Sequence, residues 1–353
     1  MLARLTGATL GLLAASAGAV ELRGDARLWT GQGFDSNVRR DFVSPGTSTS
    51  PDVFMFGMAS LEGLVGFERL RLWGSYDAAG RVFLFQPGES MEVQNAQAEA
   101  SVLLGRLFSV GLTGTARDRR GAERDYTELI GQALVAFTPD DSLDFRLVGG
   151  PHRFLYWPRF TYSHSGPELT LQARYRFNRR HSLSLFGTLN LRTYNDCAHD
   201  TQVDTSPPSA VCGDPERRRA DSVVMAGAAY AFRGPFQLSV GYTFFDETSN
   251  SFGESIQRHR LTLAGGVRLP WKLMLLGTVA VQFARYPDGV YLSPDLLVLE
   301  DQENSSSVTL KLVRPLWTHL DLDLRFAMYF NVLPQNNFVY LRGVGTIGLT
   351  VSL

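Results

Sequence analysis

The chain has 353 residues, of which 44% are hydrophobic and 20% charged, and its formal net charge at pH 7 is -1. A net charge so close to zero excludes a generally basic nucleic-acid-binding protein. The length allows one large domain or two smaller ones. No linker or change of composition divides the chain beyond its N-terminal segment.

The N-terminus has the pattern of a secretory signal. Arg4 supplies a positive charge, Leu5–Ala14 form a short apolar segment, and Ala17-Gly-Ala19 fits an A-x-A cleavage site. The apolar segment is shorter than the roughly 20 residues that a membrane-spanning helix needs, which disfavours an uncleaved anchor. We therefore expect residues 1–19 to be a cleaved signal peptide and residues 20–353 to form one exported domain without a transmembrane helix.

Segments that alternate between apolar and polar residues follow one another along the rest of the chain. The pattern is regular in Leu169–Phe177, Leu261–Leu269 and Leu320–Phe326. A period of two predicts β-strands with one apolar and one polar face. The last such segment, Phe338–Leu353, is longer than an ordinary strand of about 5–6 residues and suits a membrane-spanning strand.

The connections between these segments alternate between short and long. Short turns are predicted at Gly66–Arg69, Gly105–Arg106, Thr138–Asp141, Asn178–His181, Arg233–Pro235, Pro270–Trp271 and Arg314–Thr318. Longer connections are predicted near Gly31–Asp52, Ala78–Ser90, Arg117–Arg124, Gly150–Gly166, Asn195–Arg219, Thr248–Ser255, Tyr286–Ser306 and Asn331–Asn337. This order predicts an all-β fold, a transmembrane antiparallel up-and-down β-barrel of about sixteen strands with both termini on the short-turn side.

Two further patterns bear on this fold. Aromatic residues lie at both ends of the predicted strands, as in the belts at membrane interfaces, whereas a soluble sandwich would have shorter strands and less regular connections. Arg153–Ser163 contains five aromatic residues and could form an additional hairpin, which would make eighteen strands.

The two cysteines, Cys197 and Cys212, lie in one polar loop. In an exported protein a disulfide is favoured over a metal-binding pair, because other ligands with metal-site spacing are missing from the sequence. The same loop has an acidic cluster that could bind calcium weakly, although a solvated surface loop is the preferred interpretation. The cluster consists of Asp196, Asp200, Asp204, Asp214 and Glu216. We expect no metal and no cofactor.

If the apolar residues face lipid, the alternating polar residues line the interior. The charged residues predicted to do so include Arg23, Asp25, Arg27, Glu62, Arg71, Glu99, Asp144, Arg146, Arg174, Arg176, Arg192, Arg260, Arg268, Lys311, Asp321, Asp323, Arg325 and Arg342. Basic residues are in mild excess, which would favour anions weakly, since rings of charge tune pore selectivity. The alternative is that these groups pair across neighbouring strands and only keep the interior solvated.

Closure of a barrel brings the last strand beside the first, so charged residues of both are expected to meet there. They could form a structural ladder that holds the strands in register, or a patch over which a substrate moves. A sixteen-stranded barrel has an aqueous interior that must be narrowed. The third long connection, Arg117–Arg124, is too short to do this. The candidates are Gly31–Asp52, the cystine loop, Tyr286–Ser306 or a partner protein.

A hydrolase is the main enzymatic alternative. Nucleophilic catalysis requires a serine with a histidine base and an orienting group. His164 and Ser165 are adjacent, but no G-x-S-x-G motif surrounds them. We therefore predict that the protein is not an enzyme.

The segment Gly33-Phe-Asp-Ser-Asn-Val-Arg-Arg40 follows the first predicted strand. It resembles an aromatic-Asp-(Ser/Asp)-Asn-(Val/Ile)-x-Arg stretch in certain proteobacterial outer-membrane β-barrels. These are barrels associated with exopolysaccharide export systems and the barrel halves of surface lipoprotein assembly modifiers. The resemblance implies a porin-like barrel in the outer membrane of a Gram-negative cell.

Three functional hypotheses follow. The first is an outer-membrane conduit that exports a surface polysaccharide with periplasmic partners. The second is a diffusion porin for small solutes, with anions as the favoured class. The third is a non-conducting scaffold of a cell-surface machine. All three place the protein in contact with outer-membrane lipid and none involves nucleic acid.

Overall fold

The computed structural model describes residues 20–39, 49–121, 125–199, 211–287, 306–333 and 338–353. It contains sixteen strands, all longer than the average strand of globular proteins. Their bounds are β1 Glu21–Asp35, β2 Asp52–Gly66, β3 Leu70–Phe83, β4 Met91–Leu104, β5 Phe108–Arg120, β6 Tyr126–Asp140, β7 Leu143–Tyr156, β8 His164–Arg176, β9 His181–Cys197, β10 Arg218–Arg233, β11 Phe236–Ser249, β12 Ile256–Arg268, β13 Met274–Arg285, β14 Ser306–Trp317, β15 Leu320–Leu333 and β16 Phe338–Ser352.

The strands form one closed antiparallel barrel in which each strand pairs with its neighbours in sequence. The barrel closes where β1 pairs with β16, from Arg27 opposite Ser352 to Asp35 opposite Val344. The predicted barrel of sixteen strands is confirmed, and the additional hairpin at Arg153–Ser163 is wrong. That segment instead completes β7 and forms a short 3₁₀ helix at Phe160–Tyr162.

Alternation along each strand creates an apolar outer face. Large apolar side chains such as Leu112 and Leu171 are exposed over 67% and 53% of their surface. Trp271 and Trp317 are exposed beside short turns, and Phe85 beside a longer connection. A continuous apolar surface of this size is stable only against lipid, with aromatic rings at its two borders.

Several strands extend further than the sequence predicts. The predicted connection Ala78–Ser90 begins inside β3, and the predicted connection Gly150–Gly166 contains the end of β7 and the start of β8. The reason is physical. Residues 78–81 read Ala-Ala-Gly-Arg, and small side chains of this kind hide the alternation of apolar and polar residues that identifies a strand.

Some predicted features lie outside the described residues. These are the signal peptide at 1–19, residues 40–48 of the first connection, residues 288–305 of Tyr286–Ser306, and Asp200 and Asp204 of the acidic cluster. The connection between β5 and β6, from Arg120 to Tyr126, agrees with the expectation that it is too short to narrow the lumen. Within the described part of the chain, no helix has the length and apolar character required to cross a bilayer.

Candidate functional site in the barrel interior

The inner face is identified by contacts between strands that are not neighbours. Arg146 on β7 reaches Glu99 on β4, with Nη2 and Oε2 separated by 2.6 Å. Lys311 on β14 lies 5.8 Å from the ring centroid of Trp29 on β1. Side chains from separated strands converge only on the concave side of a barrel. The rows of residues that contain these four side chains therefore face the lumen.

Strand pairing extends these rows around the barrel, because a residue directly opposite an inward-facing residue also faces inward, as does a residue two positions away on the same strand. The charged residues predicted to line the lumen lie on these rows. Many pair locally. Arg23 contacts Glu21 at 2.6 Å, and Arg174 lies 3.7 Å from Asp144. The Trp73 Nε1–H donates to Glu62 at 2.8 Å.

The charges near the closure of the barrel have different partners from those of the ladder suggested by the sequence. Arg27 bonds to Asp25 on its own strand at 2.8 Å, and Lys311 binds Asp323 at 2.8 Å. Arg23 and Asp25 precede the first residue of β1 that pairs with β16. Among the described contacts, Arg23 and Arg27 pair within β1, whereas Arg342 of β16 pairs with a carboxylate of β1, Asp35, so the expected ladder is present only in part. The stagger between the two strands places these groups at different heights.

The segment that resembles other barrels instead forms a buried lock at this closure. Arg342 donates a forked pair of hydrogen bonds to Asp35, and these side chains are exposed over only 1% and 0% of their surface. The Asn37 side chain donates to the carbonyl of Leu341 at 3.3 Å, and Ser36 Oγ accepts from the Gly343 N–H at 2.8 Å. These bonds join the end of β1 to β16. The closure lock, as we call Asp35, Ser36, Asn37 and Arg342, fixes the register of the barrel.

A chamber of about 760 Å³ opens in the inner wall between β6 and β13, near the ends that carry the longer connections. Its lining combines four guanidinium groups, three carboxylates, two imidazoles and five other aromatic rings. These are Arg192, Arg219, Arg258, Arg260, Glu128, Glu247, Glu254, His152, His164, Phe154, Tyr162, Tyr194, Phe245 and Tyr286.

One side of the chamber is held by a buried histidine. The side-chain nitrogen of Asn190 lies 2.8 Å from His152 Nδ1, and Glu128 Oε1 lies 3.0 Å from His152 Nε2, both at hydrogen-bonding distance. Asn190 also donates to Glu168 at 3.0 Å. With both nitrogens of His152 engaged, the ring has a fixed orientation. His164 packs against it edge-on, with centroids 5.5 Å apart.

The opposite side of the chamber is organised around Arg219. Its guanidinium group binds Asp221 at 2.7 Å and Glu254 at 3.0 Å, and lies 4.1 Å from the centroid of the Tyr194 ring. Burial raises the pKa of the Glu254 carboxyl above its ordinary value, against the opposing effect of Arg219. Arg192 and Glu247 complete this wall with a distance of 3.5 Å. The planar guanidinium groups of Arg192 and Arg219 are thereby held in fixed positions.

The disulfide between Cys197 and Cys212 lies just above this wall. Cys197 is the last residue of β9 and pairs with Arg218 at the start of β10. Two positions further on, the backbone of His199 bonds to the connection between β11 and β12, residues 250–255. This connection, which was not among the candidates for narrowing the lumen, supplies Gly253, Glu254 and Ser255 to the chamber lining.

Sequence reasoning identified Arg192 and Arg260 as interior residues but missed the chamber. The sequence places His164 next to Ser165, but nothing in it indicates that Glu128, His152, Arg219 and Glu254 would lie close to that histidine. These five residues come from four strands and a connection, so their proximity depends on the register of the whole barrel. The one available signal was the cystine, which borders Arg219.

No protein-family model matches the chain, and no curated protein matches its sequence. Its structure, however, is similar to solved structures of outer-membrane proteins. Outer-membrane expressed OmpT of Vibrio cholerae covers 96% of this chain and 99% of its own, with 8% identity and a TM-score of 0.51. OccAB1 of Acinetobacter baumannii covers 94% and 96%, with 10% identity and a TM-score of 0.51. The fold is that of an outer-membrane β-barrel.

At these identities the likeness concerns the fold alone. A bacterial polysaccharide outer membrane secretin has 9% identity and a TM-score of 0.47, too low a similarity to support an inference. The fold and the apolar outer face place the protein in the outer membrane, in contact with its lipid. Short turns of such barrels face the periplasm and longer connections face the exterior. The chamber therefore lies in the extracellular half of the lumen.

Proposed function

We propose that this barrel is an outer-membrane conduit that exports an acidic surface polysaccharide, one segment of which occupies the lumen at a time. The observation that carries the proposal is the chamber, in which guanidinium groups and aromatic rings share one cavity on the inner wall. Aromatic rings offer apolar faces with a defined geometry, and the C–H faces of sugar rings can pack on them. Guanidinium groups donate paired hydrogen bonds to carboxylates.

The arrangement of the chamber supports passage of a ligand rather than its chemical conversion. Both ring nitrogens of His152 are engaged within the wall, by Glu128 and Asn190. The ion pairs of Arg192 and Arg219 hold charged groups in the wall while leaving a cavity open. The proposal accordingly includes no catalytic step. Periplasmic partners would deliver the polymer to the end with the short turns.

Deletion of the gene tests the proposal in the bacterium itself. We expect loss of uronic-acid-containing polymer from the cell surface and its recovery with the wild-type gene. Arg260→Gln changes a chamber residue, and Arg268→Gln changes an exposed inward arginine lower on the same strand, which makes it a matched control. R260Q should restore the polymer poorly and R268Q fully, at equal amounts of barrel on immunoblots. Unchanged surface polymer after deletion would contradict the proposal.

A diffusion porin for small anionic solutes is the second candidate. The chamber volume of about 760 Å³ lies within the roughly 300–1,000 Å³ of small-molecule pockets. A porin predicts a weak anion preference in conductance without any partner protein. That preference should fall when Arg268 and Arg325 are both replaced by glutamate, whereas surface polymer should be unaffected by deletion of the gene.

A further inference from the structure

The connection between β11 and β12 is bonded on one side to the base of the cystine loop. The Phe252 N–H donates to the carbonyl of His199 at 2.8 Å, and the His199 N–H donates to Ser251 Oγ at 3.1 Å. Ser251 is exposed over only 1% of its surface, so this contact is shielded from water. His199 thus acts as the attachment point for the connection.

The cystine holds His199 in place. His199 is two residues beyond Cys197, whose sulfur is bonded to that of Cys212. The same hairpin base is closed by bonds from the Ala198 N–H to the carbonyl of Arg217 at 2.7 Å and from the Cys212 N–H to the carbonyl of Asn195 at 2.8 Å. The cross-link keeps the two arms of the loop together at this level.

On its other side the connection forms part of the chamber. Gly253 adopts a positive φ of 80°, a conformation that favours glycine, and the chain reverses there. The next residue, Glu254, binds Arg219 at 3.0 Å in the chamber wall. A shift of Ser251 and Phe252 would therefore move Glu254 and release one of the two carboxylates that hold Arg219.

We infer that the Cys197–Cys212 disulfide and residues 250–255 form a clamp that positions Glu254 and Arg219 in the chamber wall. The disulfide acts through the backbone of His199, the buried Ser251 and the turn at Gly253. The positioning itself is independent of what passes through the barrel. Its consequence for passage, a chamber mouth of fixed shape, rests on the proposed conduit function.

Hydrogen exchange of the refolded barrel tests the clamp directly. In the Cys197→Ser, Cys212→Ser double variant, amides of residues 249–258 should exchange about tenfold faster or more. Without the disulfide, His199 is no longer held in place, so the connection opens locally at a lower free-energy cost. Ser251→Ala leaves the disulfide intact and should accelerate hydrogen exchange in the same residues. This variant tests the clamp even if the cysteine variant refolds poorly. Glu216→Gln, an exposed glutamate of the cystine loop, is the matched control for Glu254→Gln.

The coupling between the cystine and Glu254 separates positioning from a merely structural role. If the disulfide acts through Glu254, the E254Q change should add little to the exchange of the cysteine variant, since changes within one network are not additive. Fully additive effects, or unchanged exchange in the cysteine variant and S251A, would overturn the clamp. Channel current recorded from the same samples tests the conduit separately, because a barrel without current can still show the exchange result.

Discussion

The closure lock makes a strong prediction about stability. Asp35→Ala removes the carboxylate that receives two bonds from Arg342 and that lies 3.8 Å from Arg81. Because Arg342 is buried, the variant leaves its guanidinium group shielded from water without this carboxylate. Breaking a buried pair in this way costs about 3–5 kcal/mol.

Two further variants provide a comparison for the destabilisation expected of D35A. Arg342→Met should cost less than D35A, because Arg81 still faces Asp35 and the methionine fills part of the vacated volume. Asp25→Ala breaks an exposed pair with Arg27 and should cost about 0–1 kcal/mol. All three variants leave the backbone pairing of β1 with β16 unchanged.

Urea titrations of folding into lipid vesicles, followed by the shift of the folded barrel on unheated SDS gels, measure these differences. The expected order of destabilisation is D35A, then R342M, then D25A. A loss for D35A of under about 1 kcal/mol, equal to that of D25A, would refute the conclusion that the closure lock stabilises the barrel.

The remaining predictions use the same titration. Leu171→Arg places a charge near the middle of the lipid-facing side of β8 and should lower the free energy of unfolding by about 2–4 kcal/mol. Gln172→Arg, on the inner face, should lower it far less. Equal losses would mean that the two faces are misassigned. Gly31→Ala should impair closure, since a Cβ there would lie 2.1 Å from the carbonyl oxygen of Ile347, while Gly57→Ala, with nothing within 4 Å, should fold normally. Equal folding yields for these two glycine variants would contradict the tight approach of β1 and β16.

The strand pattern was predictable because the membrane imposes it locally. In Leu169–Phe177 each lipid-facing residue must be apolar and each lumen-facing residue can be polar, so a short window of sequence contains the information. Short turns are likewise local, and their positions agree with the structure within a few residues. Small residues carry little of this information, and the run Ala-Ala-Gly at residues 78–80 explains why the end of β3 was predicted as part of a connection.

The interior contacts were not predictable in the same way. Asp35 and Arg342 are separated by 307 positions and meet only when the barrel closes in one register. The pairing of Glu99 with Arg146 depends on the curvature that brings β4 near β7. Alternation shows which residues face inward, but the stagger of sixteen strands determines which of them meet. The chamber is a product of that stagger.

Single-channel recording in planar bilayers tests the central claim, that the lumen conducts and its chamber interacts with acidic saccharides. We expect a steady ionic current that oligogalacturonate interrupts more often and for longer than neutral maltooligosaccharide of the same length. R260Q should shorten the interruptions, and R268Q should leave them unchanged. A correctly folded barrel that carries no current, or interruptions that are the same for both saccharides and insensitive to R260Q, would contradict the account.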